Sequence, residues 1–388
     1  MSEPNPTALS LDRLTLSQFR NFAQLVWRPS AKISAIFGPN GSGKTNLLEA
    51  VSLLVPGRGL RAARIADLPR NGATVWGVNG RFRTPSGEAE VGTGSAEEGS
   101  YDRRTFRLDG TSVRKTSVVA DRIAAVWLTP QMDRLFQEGT MGRRRFLDRL
   151  VFAFEPGHAR DLSAFETAMT QRNRLLADQA KSGRFDPDWL TALEDSVARH
   201  TVSATANRLA TVKRLNATRM TGALSHFPAA LMTLLCPVGE RLEREPALAV
   251  EDWVRAELAI SRRDDAARGS ASVGAHRTDM LLSDAASGLA AAKASTGQQK
   301  ALLIGVVLAH AGLLQDGRGF APLLLLDEPT VHLDRNHREA LFAALAGVSA
   351  QVLLTGTDRE MFLPLRSFAE GLKIERDNLE PDPDFRSL

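Results

Sequence analysis

An eight-residue run, Gly38-Pro39-Asn40-Gly41-Ser42-Gly43-Lys44-Thr45, constrains this chain more than anything else in it. It satisfies the pattern G-x-x-x-x-G-K-[ST] in full. Before it, Lys32 to Phe37 form a short apolar stretch of strand character. After it, Leu47, Leu48, Val51, Leu54 and Val55 recur at helical spacing. A strand that feeds a glycine loop that opens a helix is a phosphate cradle. The glycines let successive backbone N–H groups curl around phosphate oxygens, and the helix adds the positive end of its dipole. Lys44 supplies charge to the β- and γ-phosphates, and the Thr45 hydroxyl can ligate Mg²⁺. The sequence therefore predicts ATP on Gly38, Pro39, Asn40, Gly41, Ser42, Gly43, Lys44 and Thr45, with Lys44 also serving the chemistry.

A second element lies far along the chain. Leu323-Leu324-Leu325-Leu326 is a continuous apolar run that ends in Asp327-Glu328. Four apolar residues in a row fit a central parallel strand buried on both faces. The acids then emerge at its carboxyl end, where α/β sheets bind ligands. Asp327 is expected to hold Mg²⁺, and Glu328 to polarise the attacking water as general base.

Two further pieces resemble the ABC-type ATPase superfamily. Ser295-Thr296-Gly297-Gln298-Gln299 precedes the acidic strand by one helix's length and resembles the signature motif, whose usual form is L-S-G-G-Q. A serine hydroxyl, a glycine and a helix N-terminus together can sense a γ-phosphate, so Ser295, Gly297 and Gln298 are expected nucleotide contacts. The run Asp327-Glu328-Pro329-Thr330-Val331-His332-Leu333-Asp334 resembles the superfamily's Walker B strand and D-loop, which adds Asp334 to the nucleotide set. Gln131, in Thr129-Pro130-Gln131, lies where that superfamily places its Q-loop glutamine, a metal and water contact; an ordinary surface turn is the alternative. Thr355, Thr357 or Asp358 follows the next apolar strand, where a switch residue, often a histidine, usually sits; this chain has no histidine there. In this superfamily the signature of one subunit completes the site of another. The resemblance therefore implies an ATP-sandwiched homodimer.

Between these landmarks the text changes character. Leu11, Leu14, Leu16 and Phe19 alternate with polar residues, and Ala23 to Trp27 reads as a partner strand. From Gly72 to Val119 short β-like runs alternate with Gly, Ser and Asn, and Asp109-Gly110 is a hairpin signal. Gly87 to Ser100, rich in Gly, Glu and Ser, reads as a mobile hairpin or loop. From about Gly142 to Ile260 the pattern is helical, with Leu162, Phe165, Met169 and Leu176 on one stripe and Leu190, Leu193 and Val197 on another; Lys181-Ser182-Gly183 reads as a break. Arg262 to Ser272 reads as a polar connector, and the acidic stretch after Arg376 as a loose tail. The expected organisation is residues 1–130 and 270–388 as the two parts of one head, with residues 131–269 as a helical arm.

Composition narrows the class. The net charge of +4 over 388 residues is mildly basic, which admits nucleic acid as a partner without demanding it. One cysteine, Cys236, leaves no intramolecular disulfide and no cysteine-based zinc site. No apolar run approaches the roughly 20 residues of a membrane helix, and Met1 to Ser10 has the polar text of a frayed tail rather than a signal peptide. A cytoplasmic protein with no membrane partner is the expectation.

Lys44 and Ser295 stand about 250 positions apart. A transporter ATPase needs only a short stretch there, and a chain of the SMC or Rad50 type would carry a long heptad coiled coil. What remains is a head with a short arm, and the chain resembles the bacterial RecF family over nearly its whole length. Leu16-Ser17-Gln18-Phe19-Arg20-Asn21-Phe22 resembles that family's opening L-x-x-F-R-N-[FY]. Gly57-Arg58-Gly59-Leu60-Arg61 resembles its G-R-S-x-R, and Arg143-Arg144-Arg145-Phe146-Leu147-Asp148 its R-R-x-F-L-D. Gln171-Arg172-Asn173-Arg174-Leu175-Leu176 resembles Q-R-N-x-L-L, and Gly274-Ala275-His276-Arg277-Thr278-Asp279 resembles G-P-H-R-x-D. The family often has Asp-Asp at Asp327-Glu328, S-E-L-D around His332-Leu333-Asp334 and Pro-Glu at Pro130-Gln131; here the text is that of the wider superfamily.

The resemblance implies an α/β fold: an ABC/SMC-type P-loop ATPase head with an antiparallel β subdomain and a short helical arm lobe. It implies ATP-dependent dimerisation on single-stranded, gapped or junction DNA, in replication, recombinational repair and the SOS response. It also implies RecR and RecO as partners in placing the recombinase, with slow, DNA-stimulated ATP hydrolysis as a timer. Another ABC-type ATPase, or a DNA-clamping scaffold that binds ATP without hydrolysing it, stays open as an alternative. Arg143, Arg144 and Arg145 are the leading sequence choice for DNA contacts.

Overall fold

In the computed structural model, residues 9–95, 103–182, 186–218 and 227–385 are described. Their strands, in chain order, are β1 (Ser10–Phe19), β2 (Phe22–Trp27), β3 (Ile33–Phe37), β4 (Gly77–Thr84), β5 (Gly87–Ser95), β6 (Arg104–Leu108), β7 (Thr111–Val113), β8 (Ala125–Leu128), β9 (Ala230–Leu235), β10 (Asp279–Asp284), β11 (Leu323–Leu326), β12 (Val352–Gly356), β13 (Ala369–Glu375) and β14 (Asn378–Pro381). The chain divides into two compact units. One comprises Met1–Arg134, Arg219–Ala229 and Ala294–Leu388; the other comprises Leu135–Thr218 and Ala230–Lys293.

The first unit is built on a sheet of order β14-β13-β3-β12-β11-β8, in which every pairing is parallel except that of β14 with β13. Its central strands are the apolar runs of the sequence, and β3, β11 and β12 are buried at every position. That is what a parallel sheet covered on both faces requires. Register aligns their carboxyl ends: Phe37 pairs with Gly356, and Leu354, Leu326 and Leu128 lie side by side. The second sheet is antiparallel, in the order β2-β1-β4-β5-β6-β7. Its β1 buries Leu11, Leu14, Leu16 and Phe19, as the alternation predicts. Helix Lys44–Leu54 touches β4 and β5 on one side and β11 and β12 on the other. It is accordingly apolar nearly all round, with Leu47, Leu48, Ala50, Val51, Leu53 and Leu54 all buried.

Helix Thr296–Arg318 also belongs to this unit. Among the described residues it is the one helix long and apolar enough to cross a membrane by length and composition, but 78% of its most apolar window is buried inside the fold. It packs on β8 as a core helix.

The second unit is mainly helical: Thr140–Phe154, His158–Ser182, Pro187–Ala217, Pro237–Leu242, Ala247–Ile260 and Arg262–Arg268, with β9 and β10 paired antiparallel. The longest helix begins with local logic. Asp186 caps it by accepting from the N–H groups of Asp188 and Trp189, and Pro187 occupies the first turn. Phe165, Met169, Leu193 and Val197, on the stripes read from sequence, meet Val250, Val254 and Leu258 in one core. Within that core Arg172 is fully buried. Its Nε donates to Glu194 Oε1 at 3.0 Å, its Nη1 to Asp265 Oδ2 at 2.9 Å and its Nη2 to the Leu258 carbonyl at 2.6 Å. One guanidinium thus joins four helices, which explains the Q-R-N run of the sequence.

Several expectations are corrected. Of the two readings of Gly87 to Ser100, the loop does not hold for residues 87–95, which form strand β5 in antiparallel pairing with β4 and β6. Ala230–Leu235, expected in helical text, is strand β9; it is short and, among the described residues, pairs only with β10, whose sequence lies far downstream. The connector at Arg262 contains a helix, tied by Asp265 into the Arg172 cluster. The tail after Arg376 is not loose through Phe385: β14 pairs with β13, and Phe385 is buried against Gly371 and Phe37. Most of the expected frayed N-terminus (1–8), residues 96–102 of the Gly/Glu/Ser run and Gly183 of the expected break lie outside the described residues.

Removing one partner of a buried ion pair costs about 3–5 kcal/mol, against under about 1 kcal/mol for an exposed pair. Arg172→Met is therefore expected to lower the urea midpoint of the full-length chain strongly, and Lys213→Met, which frees the exposed Glu243, to leave it nearly unmoved. Equal midpoints by circular dichroism would show that Arg172 does not hold this unit.

Candidate functional site

The site gathers at the carboxyl ends of β3, β12 and β11. The loop Gly38–Gly43 leaves β3 and opens helix Lys44–Leu54, with Gly43 as its left-handed cap at φ 105°. No other residue fits at Gly43: besides the backbone conformation, a Cβ there would stand 2.5 Å from Asn21 Nδ2. Asn21, from the turn between β1 and β2, donates to the Ser42 carbonyl at 3.4 Å and accepts from Asn46 at 2.7 Å. Next to it, Arg20 grips the buried Glu49 of the helix with both Nε and Nη2, each at 2.8 Å. The R-N pair near the N-terminus is thus a brace for the glycine loop.

Lys44 Nζ donates to the carbonyls of Gly38 at 2.7 Å and Pro39 at 2.9 Å, which sets the ammonium at the floor of the loop. Burial pulls its pKa below the ordinary lysine value, and the carboxylates of Glu328, Asp327 and Asp358 pull it back up. Ser42 Oγ is buried without a protein hydrogen-bond partner. An orphaned hydroxyl beside an ammonium in a glycine loop fits a phosphate.

Across the sheet, Thr45 Oγ1 donates to Asp327 Oδ1 at 3.0 Å, and Thr355 Oγ1 donates to the same oxygen at 2.7 Å. Thr355 also accepts from the Glu328 N–H at 3.0 Å. This follows from strand order, since β12 lies between β3 and β11. Burial pushes the Asp327 carboxyl above its usual range; the two threonine hydrogen bonds and the charges of Arg61 and Lys44 oppose the rise only in part. A buried carboxylate short of compensation, sharing its oxygen with a threonine hydroxyl beside a phosphate loop, suits Mg²⁺, which takes one or two protein oxygens and leaves the rest to phosphate and water. Among the described residues no cluster of three or more His, Cys, Asp or Glu forms an all-protein metal cage.

Glu328 shares one cavity with Lys44, Thr45, Asn46 and Arg61. Arg61 is the last residue of the Gly57–Arg61 run. Here its Nη1 donates to Asn46 Oδ1 at 2.6 Å and to Glu49 Oε2 at 3.3 Å. The motif match there gives it no task; its position comes from the turn after the helix folding back. Asn46 also lines a second groove, with Arg20, Asn21, Asp67, Arg70 and Asn71.

The remaining predicted residues lie apart from this cavity within the same unit. Gln131 is exposed in the 3-10 turn Pro130–Arg134 that follows β8. Ser295 caps helix Thr296–Arg318 in a reciprocal capping box with Gln298, and both are exposed. Gly297 is required by close approach, because a Cβ there would stand 2.7 Å from the His332 carbonyl oxygen. Asp334 is exposed and caps helix Arg335–Gly347 by accepting from the His337 N–H at 2.8 Å. Of the switch alternatives, Thr355 is buried at Asp327, whereas Thr357 and Asp358 are exposed and bond to each other.

The basic runs of the helical unit are bound up in it. Arg143 is paired in a fork with Asp279, at 2.8 and 2.9 Å, and Arg144 donates to the Thr278 carbonyl. Asp148 receives two bonds from the buried Arg208 and one from the buried His158. The R-R-x-F-L-D and H-R-x-D segments lock each other in place. Of the three expected DNA-contact arginines only Arg145 is left exposed.

The family model described as the RecF/RecN/SMC N terminal domain matches residues 10–376. A protein of Rhizobium etli named DNA replication and repair protein RecF is 42% identical over 369 residues, covering 94% of this chain and 97% of its own. The chain belongs to the RecF family. The RecF of Agrobacterium fabrum is 43% identical over the same shares of each chain. In three dimensions the chain is similar to the recombination mediator RecF solved with ATP in the RecFOR pathway, with a TM-score of 0.80 at 22% identity and coverage of 97% and 99%. The Pyrococcus furiosus Smc head, at TM-score 0.51 and 15% identity over 96% of each chain, shares the fold at greater distance. Fold class and family are therefore those the sequence predicts, an SMC/RecF-type ATPase head with a RecF-length arm.

If Lys44 and Asp327 hold the nucleotide and its cation, two substitutions separate binding from stability. Lys44→Ala is expected to lose ATP binding in a folded protein, by equilibrium binding of labelled ATP with circular dichroism alongside. Asp327→Asn removes a buried charge. Because the folded carboxyl titrates above its unfolded value, it destabilises the native state at neutral pH, and that cost fades as pH falls through its raised pKa toward the unfolded value. The variant should therefore melt higher than the parent at pH 7 without nucleotide and converge with it near pH 3. A lower melting temperature at pH 7 would contradict the burial argument.

Proposed function

We propose that this RecF-family chain is a cytoplasmic, ATP-dependent DNA-binding protein of replication and recombinational repair, acting in the SOS response. The reading rests above all on one observation, the Thr45–Asp327 hydrogen bond that joins a complete phosphate loop to a buried acidic strand end with Glu328 beside it. Lys44 and the loop amides hold the phosphates, and the groove at Arg20, Asn46 and Arg70 takes the rest of the nucleotide. Thr45 and Asp327, with Gln131 at the periphery, hold Mg²⁺, which when bound offsets phosphate charge. Glu328 accepts the proton of the attacking water.

Ser295, Gln298 and Asp334 are exposed and, with Gly297, lie apart from the phosphate loop of their own chain. A second copy brings one, so ATP sandwiches two chains and the signature of each completes the site of the other. Such a dimer sets two basic surfaces side by side, and affinity for a DNA backbone rises with the number of phosphates neutralised. Gapped or single-strand junction DNA is the proposed substrate and RecR and RecO are the proposed partners, supported by family membership and by the RecFOR pathway named for the structural relative. Slow, DNA-stimulated hydrolysis then releases the clamp.

Glu328→Gln keeps shape and ATP binding but cannot accept a proton. It should accumulate as an ATP-bound dimer on size-exclusion chromatography, with hydrolysis lost; wild-type turnover without dimer build-up would refute the assignment, and a wild-type chain that dimerises without turnover would favour the scaffold reading. DNA affinity should depend on ATP and fall as salt rises. Arg145→Ala should flatten the plot of log affinity against log salt, whereas equal affinity with and without ATP would rule out the clamp.

A further inference from the structure

Helix Thr296–Arg318 carries a lysine in its core. Lys300 is 1% exposed, five residues past the Ser295 cap. Its Nζ donates to the Glu328 carbonyl at 2.9 Å and to Asp133 Oδ2 at 3.0 Å. Burying an ammonium is expensive, and an apolar side chain would fill the same space without that penalty. Nucleotide binding as assigned above gives Lys300 no task.

Its acceptors suggest one. Glu328 has φ +49°, a backbone conformation that non-glycine residues seldom adopt. Its two peptide groups are gripped from opposite sides. The N–H donates to Thr355, whose hydroxyl is committed to Asp327, and the C=O accepts from Lys300. With both ends held, the direction in which the Glu328 side chain leaves the backbone is fixed by other elements and not by its own preference. The Lys300 end of that grip is mounted on the helix whose first turn is the signature. That turn makes a second contact with the same segment, Gly297 against the His332 carbonyl. Asp133, the other acceptor, lies in the turn that carries Gln131.

We propose that Lys300 is a positioning residue that ties the signature helix to the backbone of Glu328, so that capture of a γ-phosphate at Ser295 aims the general base of the same chain. The inference rests on the sandwich reading above. There, the phosphate at one chain's signature belongs to its partner's nucleotide, while Glu328 works on its own. The Lys300 tie therefore makes hydrolysis at one composite site depend on occupancy of the other.

The test uses the full-length chain carrying Lys300→Met together with Asp133→Asn, which removes both members of the pair and avoids stranding a carboxylate. Melting and labelled-ATP binding come first, and ATP affinity is expected within about twofold of wild type. Steady-state hydrolysis should then show kcat down at least about tenfold with KM little changed, the pattern of a misaimed catalytic group. The Hill coefficient in ATP should drop to one. Adding the pair of substitutions to Glu328→Gln should change the residual rate by less than about twofold, because the group they aim is already gone. Lys300→Arg, which keeps the charge, should recover part of kcat. A folded double variant with wild-type kcat and cooperativity overturns the inference, as does an equal proportional loss in the Glu328→Gln background. If wild type does not hydrolyse ATP, or Glu328→Gln hydrolyses normally, the reading of Glu328 fails and the inference falls with it; where Glu328→Gln loses hydrolysis, either of the two outcomes just named overturns the inference alone.

Discussion

The hydrogen bond from Thr45 to Asp327 joins residues 282 positions apart, and the site exists because that bond can close. What closes it is the register of three parallel strands. β12 enters the sheet between β3 and β11, so Thr355 arrives at the acidic strand end, donating to the same Asp327 oxygen as Thr45 and accepting from the Glu328 N–H. The local chemistry is unfavourable to the empty fold: an aspartate is buried with more desolvation than its partners repay. On the proposed reading a cation and a polyphosphate beside it offset that cost, which sets stability against function at Asp327.

Closing a chain segment of this length costs little more than closing a short one, because loop entropy grows only with the logarithm of length. An inserted unit is tolerated if it folds on its own terms, and the helical unit has its own means. Arg172 and Arg208 are each buried and fully engaged within it, and Arg143 is forked onto Asp279. A guanidinium suits this work because its planar fork satisfies carboxylates and carbonyls in several directions at once. Much of the positive charge that the sequence displays in this unit is consequently internal, and the mildly basic balance of the chain overstates what reaches solvent there.

The phosphate loop and acidic strand were legible because each is a local pattern with one physical solution: a glycine turn after a strand, and four leucines ending in acids. The helical stripes at Phe165 and Val197 were legible for the same reason. What sequence could not show was pairing at a distance. β9 is an ordinary apolar stretch until β10 comes back to it, and β14 is acidic text until β13 offers an edge. Arg61 and Lys300 belong to the same class: one is a basic residue in a loop, the other a lysine on an apolar helix, and only the fold brings the first to the cavity at Lys44 and the second beneath Glu328. Arg143 and Arg144 of the arginine run are drawn inward, since charge next to charge in sequence reads as surface until Asp279 and the Thr278 carbonyl are brought to it.

The turn from Glu328 to His332 has positive φ at both ends, at +49° and +67°, and neither residue is glycine. Each such position costs on the order of 1–3 kcal/mol and survives only where neighbours over-determine it. Here the neighbours can be named: Thr355 holds the N–H of Glu328, Lys300 holds its carbonyl, and Gly297 lies against the carbonyl of His332. A glycine at either end would relieve the strain, but it would remove the carboxylate at one end and loosen the turn at the other. The strain is therefore kept in the short segment between the residue read as the base and the exposed edge of the unit. Two of the three contacts that keep it come from a single helix, the one whose N-terminus is the signature. A displacement of that helix too small to disturb its apolar packing on β8 is still large on the scale of a hydrogen bond. The segment most responsive to it is the one that aims Glu328.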